Sequence, residues 1–164
     1  EVFHLSPAAL GFFFGAPAVG YFIGNGLSGR YSARVGINRM ILWGCVLNAA
    51  GLGTALMVFA AGFQSEWTFF GFMTFVGLGN GMTIPNATAG ALSVRPHLAG
   101  TASGLSGAIM IGGGAALSAL AGALLQPGTG AWPLLWLMFA TGVASIVSIL
   151  LVIRRERRLA GLAL

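Results

Sequence analysis

The amino-acid sequence predicts an all-α membrane protein, a helical bundle with five transmembrane helices. Of its 164 residues, 57% are hydrophobic and only 7% are charged, whereas a soluble domain carries about 25% charged residues. Five apolar segments of about 20 residues are separated by short polar ones. All eight basic residues are arginines, and they lie in three clusters beside the apolar segments. That placement is typical of topology signals and does not favour nucleic-acid binding.

The polar stretch from Gly24 to Arg39 sets the direction of every other segment. It carries Arg30, Arg34 and Arg39 and no acidic residue. A cationic side chain at the bilayer centre costs about 2.5–3.5 kcal/mol even on lenient insertion scales. We therefore expect this stretch to be a connection at the membrane surface, on the cytoplasmic side where short arginine-rich loops remain.

Each predicted helix is near the length of about 20 residues that a 30 Å hydrocarbon core requires. The helices are expected at about residues 6–27, 40–63, 67–94, 99–125 and 133–153, followed by a cytoplasmic tail at 154–164. Ser6 and Pro7 are typical of a helix start. Pro17 removes the hydrogen bond to the Phe13 carbonyl, which predicts a kink in the first helix.

The later helices have boundary signals of their own. After the second helix, residues 64–66 form a short outer turn, and Trp67 opens the third helix at the membrane interface. Pro96 ends that helix in a tight turn, because proline cannot continue it. An uncharged loop at 126–130 follows the fourth helix, and Trp132 and Pro133 open the fifth.

The charges divide completely between two sides of the predicted bundle. All eight arginines fall in the loops 28–39 and 95–97 and in the cluster 154–158, whereas the opposite side holds Glu1, His4 and Glu66. This predicts an N-terminus outside and a C-terminus in the cytoplasm. The terminal cluster is also expected to attract anionic lipid.

Three stretches resemble the major facilitator superfamily. Residues 29–39 (GRYSARVGINR) resemble its basic loop motif, which recurs in degenerate form between spans eight and nine. Residues 77–89 (GLGNGMTIPNATA) with 99–107 (AGTASGLSG) are similar to spans ten and eleven of drug/proton antiporters of the bicyclomycin-resistance type. Residues 1–11 (EVFHLSPAALG) resemble the external loop between their spans seven and eight.

The resemblance implies that the whole chain, 1–164, is a partial C-terminal transmembrane domain comprising spans eight to twelve of a twelve-span carrier. Span seven and the N-terminal half of the transporter would then be missing from the chain, and that half would be its partner. The resemblance also implies a bacterial inner (plasma) membrane. One departure is Ala33, which stands where the motif has an acidic residue, and this leaves open any conformational contact that the acid would make.

The third predicted helix is the best candidate for the wall of a substrate cavity. Five of its residues recur at spacings of three and four and so share one face: Phe72, Phe75, Gly79, Met82 and Asn86. Aromatic rings and a flexible thioether suit varied apolar ligands, and the Asn86 amide would be the polar contact. Pro85 allows a bend there. Packing against neighbouring helices is the alternative for each of these residues.

Other helices add candidates of the same kind. Asn80 lies on a different face from Asn86, and we expect it to make an interhelical hydrogen bond. In the fourth helix Ser106 and Met110 share a face, although serine hydroxyls commonly bond their own helix, and its glycines suit close packing. Phe14 and Tyr21 are the candidates in the first helix. The predicted substrate-binding residues are thus Phe14, Tyr21, Phe75, Met82, Asn86, Ser106 and Met110.

Two roles are open for Arg30, Arg34, Gly36 and Arg39. They mark topology alone, or the arginines also interact with helix C-terminal carbonyls and pair with acids across a domain interface. Asn48, Ser145 and Ser148 are expected to be packing groups, because the resemblance places their helices on the outside of the bundle.

The ionisable residues do not predict catalysis or metal binding. The chain has no aspartate, and Glu1, Glu66 and Glu156 all lie outside the predicted helices. His97 and His4 are expected in solvated turns, and Cys45 has no partner for a disulfide. We expect no cofactor, no metal and no enzymatic activity. If the protein is a proton antiporter, its proton-carrying acid belongs to the other half of the carrier.

These observations lead to a secondary transporter as the functional hypothesis. The resemblance implies proton-coupled efflux of drugs or small apolar metabolites, with a small-molecule substrate and the lipid bilayer as partners. Two alternatives stay open: a carrier for a different solute, such as a sugar or an amino acid, and a helical membrane scaffold that does not transport.

Overall fold

Helices account for nearly all of the part of the chain that the computed structural model describes, residues 6–126 and 128–161. The helices, in chain order, are α1 (Pro7–Phe13), α2 (Gly15–Val35), α3 (Ile37–Ala60), α4 (Glu66–Ser93), a 3₁₀ turn (Pro96–Leu98), α5 (Ala99–Leu124) and α6 (Trp132–Gly161). This confirms the predicted all-α bundle. Glu1 and His4, which we expected on the outer side, lie outside the described residues.

The first predicted helix is interrupted and longer than expected. Ser6 caps α1 by accepting a hydrogen bond from the Ala9 backbone N–H at 3.2 Å. The helix breaks at Phe14, next to the Phe13 carbonyl that Pro17 leaves without its usual donor. The predicted end near residue 27 was wrong, because α2 continues to Val35.

The stretch from Gly24 to Arg39 is therefore helical, and the prediction of a long connection was wrong. Only Gly36 separates α2 from α3, with a φ of 94°. Its N–H donates to the Ser32 carbonyl and its own carbonyl accepts from the Met40 N–H, so this one residue ends one helix and begins the next. Helices longer than the hydrocarbon core carry arginines beyond it, where long side chains extend into water.

The last helix is also longer than predicted. α6 has 30 residues and continues through the arginine cluster to Gly161, not to residue 153. Arginine is a good helix former, and no glycine or proline interrupts residues 143–160. The cluster therefore projects from the bundle as helix and not as an irregular tail.

Four helical segments of the described chain are long and apolar enough to cross a membrane: Pro7–Val35, Ile37–Ala60, Pro96–Leu124 and Trp132–Gly161. α4 corresponds to the third predicted transmembrane helix and is 28 residues long, but it is not among these four segments. It packs between α2 and α3. These two helices therefore separate much of α4 from the lipid.

Ring and side-chain contacts fix the helix directions. α4 runs parallel to α2, because Phe13 stacks on Phe70 at one end and Asn86 bonds Ser28 at the other. α3 is antiparallel to both α4 and α6, since Phe59 contacts both Phe69 and Trp132 at one end. At the other end the Asn38 amide donates to the Glu156 carboxylate.

These directions bring all eight arginines to one end of the bundle, which we call the arginine end. It comprises the last turns of α2, the first turn of α3, the residue before the 3₁₀ turn and the last turns of α6; its arginines are Arg30, Arg34, Arg39, Arg95, Arg154, Arg155, Arg157 and Arg158. The main apolar core lies at the opposite end, around Phe13, Leu52, Phe59, Phe70 and Leu135.

Candidate functional site

The centre of the bundle is a glycine-mediated contact between α2 and α4. A Cβ added to Gly77 would collide with the backbone of Pro17, and one added to Gly24 would lie 3.0 Å from the Gly81 Cα. Gly20 of α2 likewise faces the α4 backbone. Small residues allow such approach between membrane helices. α2 and α4 thus form a closely packed pair that leaves no space for a ligand along this line.

Asn86 belongs to that packed pair and does not face a cavity. It is 3% exposed, and its Nδ2 donates to the Ser28 Oγ and to the Met82 carbonyl oxygen, both at 2.7 Å. Met82 is 7% exposed, and its Cβ would lie 3.0 Å from a Cβ placed on Gly44 of α3. The Asn86 amide, considered as the polar contact for a ligand, is therefore an interhelical hydrogen bond here, which agrees with the alternative of packing against neighbouring helices.

Asn80 makes the interhelical contact that we expected of it. The Asn48 Nδ2 of α3 lies 3.4 Å from the Asn80 Oδ1. The Asn48 Oδ1 is buried and, in the described part of the chain, has no hydrogen-bond partner. A buried acceptor without a donor costs about 1–3 kcal/mol, so this amide oxygen is suited to a water or to a donor group of a ligand.

A cavity of about 270 Å³ lies beside this asparagine pair, between α3, α4 and α6. Its polar lining comprises Cys45, Asn48, Asn80, Thr83, Thr141 and Ser145. Asn48 and Ser145 were expected to be packing groups, and helical spacing did not predict this cavity, because its lining comes from three separate helices. The Asn48 Oδ1 and these hydroxyl groups can hold a small polar molecule or a few waters.

The predicted aromatic residues are exposed but do not converge. Phe14, Tyr21 and Phe75 are 59%, 41% and 42% exposed, respectively. The Phe14 ring lies 5.8 Å from that of Phe70 on the α2 side of α4, whereas Phe75 lies against Gly51 of α3. They give the bundle an apolar, aromatic surface at two separate places.

Ser106 and Met110 lie on α5, which has no buried residue. Met110 is 60% exposed. The α5 glycines, which we expected to pack closely, have open space around them: Gly100, Gly104, Gly107, Gly112, Gly113, Gly114 and Gly122. Close packing of α5 within this chain was therefore a wrong prediction, and none of the seven predicted binding residues lines a cavity described here.

The segment from Arg30 to Arg39 lies beside a groove at the arginine end that is larger than the cavity at Asn48. This groove has a volume of about 920 Å³ between α3, α4 and α6, and Gly36 and Arg39 form part of its lining. Arg34 lies in the last turn of α2, where a cation interacts favourably with the helix dipole. Arg30 and Arg34 are exposed, as topology signals at a membrane surface would be.

In the described part of the chain, no group of three or more His, Cys, Asp or Glu residues could hold a metal ion. Glu66 and Glu156 lie at the two ends of the bundle, in the first turn of α4 and the last turns of α6. The polar groups that line the cavity beside Asn48 and Asn80 are amides, hydroxyls and the Cys45 thiol, which can hold a solute by hydrogen bonds.

The comparisons with known proteins give one match. The family model described as Major Facilitator Superfamily matches residues 1–162. Comparison with curated proteins and with solved structures found no match. Because the family model matches nearly the whole chain and the helices form a membrane bundle, the chain belongs to the major facilitator superfamily of transporters.

Proposed function

We propose that the chain is spans eight to twelve of a carrier that exports small apolar solutes in exchange for protons. The observation that supports an apolar solute is the exposure of three aromatic residues, Phe14 and Tyr21 on the first span and Phe75 on α4. No charged residue occurs in the segments 7–29 and 67–94 that carry them. Such a surface suits apolar solutes, because burial of apolar area from water is favourable and does not depend on a fixed geometry.

The packing supports alternating access by movement of rigid bodies. The α2–α4 pair is locked by backbone contacts at Gly24 and Gly77, and α3 is joined to it by the Asn48–Asn80 contact. A unit of this kind can rock as one body against the N-terminal half of the carrier while its outer surfaces contact the solute. We further propose that this N-terminal half supplies the proton-carrying acid, since Glu66 and Glu156 lie at the ends of the bundle.

The test is transport by the intact protein reconstituted in liposomes. An imposed pH gradient should drive accumulation of an apolar fluorescent dye, with counterflow of protons. Phe75→Ala should lower the rate several-fold by removing apolar contact. Trp136→Ala is the matched control, because Trp136 is an exposed aromatic residue on α6, at 56% exposure, outside the proposed surface.

Dye movement without proton flux would contradict the coupling, and absence of transport would favour a scaffold. An equal loss of transport rate in Phe75→Ala and Trp136→Ala would contradict the proposal that Phe75 contacts the solute.

A small polar solute is the second candidate. The observation that favours it is the cavity beside Asn48 and Asn80, next to the buried Asn48 Oδ1, which has no hydrogen-bond partner among residues 6–126 and 128–161. Asn48→Leu would then abolish uptake of a polar solute and leave dye export unchanged.

A further inference from the structure

A second groove at the arginine end has an apolar floor and a cationic rim. It lies between α3 and α6, has a volume of about 430 Å³, and is lined by Leu42, Leu150, Ile153, Arg154, Arg157 and Arg158. We call it the α3–α6 groove. Three arginines line it and no acidic residue does, so it is complementary to an anion that carries an apolar chain.

The spacing along α6 explains this division. Leu150, Ile153, Arg154, Arg157 and Arg158 follow each other at intervals of three, one, three and one, which keeps them on one face of the helix. The apolar residues come first and the arginines one turn later. The face therefore changes from apolar to cationic in the direction in which the helix leaves the membrane.

The one acidic residue of this cluster is turned elsewhere. Glu156 lines the larger groove on the other side of α3, where its carboxylate accepts a hydrogen bond from the Asn38 amide. It is held by α3 and does not line the α3–α6 groove. The charge of the three arginines is thus left for a ligand.

We propose that the α3–α6 groove binds an anionic phospholipid. Its phosphate contacts Arg154, Arg157 and Arg158, and one acyl chain lies along Leu42, Leu150 and Ile153. Guanidinium groups bind phosphate through paired N–H donors, and basic pockets between membrane helices are suited to anionic head groups. Leu150 is 47% exposed, so an acyl chain would cover apolar surface that continues into the bilayer. A bound lipid would contact both the N-terminal part of α3 and the C-terminal part of α6.

The experiment measures lipid retained by the intact protein, independently of transport. Purified protein in detergent is titrated with phosphatidylglycerol or phosphatidylcholine, and the bound lipid is counted by native mass spectrometry. One phosphatidylglycerol should bind in preference to phosphatidylcholine. The triple variant Arg154→Gln/Arg157→Gln/Arg158→Gln should bind it about a hundredfold more weakly, at about fivefold per arginine.

The matched control is the triple variant Arg30→Gln/Arg34→Gln/Arg95→Gln. It removes the same charge from the same end of the bundle but leaves the α3–α6 groove intact, so its affinity should stay within about twofold. Equal weakening in the two triple variants would show general surface attraction and would overturn the site.

A further variant tests the apolar half with all charges retained. Leu150→Trp fills the groove and should weaken phosphatidylglycerol binding about tenfold. If glycerol phosphate alone displaces the lipid at equal concentration, the acyl chain contributes nothing and the lipid assignment is wrong. Elution as one sharp species shows that each variant is folded. Unchanged lipid binding in folded Leu150→Trp would also contradict the proposal.

Discussion

At the residue scale, single glycines and one asparagine fix how α2 and α4 meet. Gly77 and Gly24 allow backbone contact, and Asn86 adds a hydrogen bond to Ser28 where the two helices approach the arginine end. Without water in the bilayer, van der Waals contact and interhelical hydrogen bonds are the forces that hold helices together. Substitutions at these positions should therefore affect stability more than substitutions at the exposed aromatic surface.

Gly77→Ala should destabilise the intact protein. The added methyl group meets the backbone of Pro17, which cannot turn aside as a flexible side chain would. Overpacking of this kind costs about 1–3 kcal/mol, and it should lower the melting temperature in detergent. Gly71→Ala is the control on the same helix, because nothing lies within 4 Å of its added Cβ. Equal melting temperatures for the two variants would contradict the close α2–α4 contact.

Asn86 and Ser28 should be energetically coupled. In a double-mutant cycle with Asn86→Ala and Ser28→Ala, unfolding free energies should give a coupling of about 0.6 kcal/mol, with about 1.7 kcal/mol as the upper end for such bonds. A coupling of zero would show that the bond contributes nothing. The pair Asn86 and Ser93 is the control, since the Ser93 hydroxyl donates to the Gly90 carbonyl of its own helix.

The roles of the two α4 asparagines show what the sequence could predict at this scale. Helical periodicity correctly placed Asn80 and Asn86 on different faces, and Asn80 does contact Asn48. Periodicity does not say which face meets another helix. The missed signal was in α2, where Gly20, Gly24 and Ser28 repeat every four residues and form the surface on which α4 packs.

At the element scale, the five long helices of the described chain were predictable from apolar segments, whereas their lengths and the break before α2 were not. Charged residues indicate where the hydrocarbon ends, but a helix continues until its backbone is interrupted. α2 therefore extends past Arg34 to Val35, where Gly36 ends it, and α6 extends past Arg158 to Gly161. The exposure of α5 could not be predicted either, because its composition suits packing and only the arrangement of the other helices decides whether it is packed.

Gly36→Ala tests the one-residue junction between α2 and α3. Nothing lies within 4 Å of an added Cβ, so any effect comes from the backbone, whose φ of 94° is unfavourable for an L-residue. The expected cost is about 1–3 kcal/mol of unfolding free energy. Gly29→Ala, inside α2 and also in open space, should be neutral or stabilising by up to about 1 kcal/mol. A stabilising effect of Gly36→Ala would contradict the positive φ of this residue at the α2–α3 junction.

At the scale of the whole molecule, the arrangement depends on one fact, the collection of all eight arginines at one end. α2, α4 and α6 run in one direction and α3 runs in the opposite direction. This arrangement brings together charges that are far apart in sequence. The sequence predicted the collection well, because the cost of burying arginine in hydrocarbon is large and acts on every cluster alike.

Sided cysteine labelling tests this arrangement most directly. In intact protein carrying Cys45→Ala, single variants Ala33→Cys, Leu159→Cys and Phe63→Cys place a thiol at exposed positions in α2, in α6 and at the turn after α3. A membrane-impermeant maleimide should label the first two only from the cytoplasmic face and the third only from the opposite face. Labelling of positions 33 and 159 from opposite faces would contradict the account.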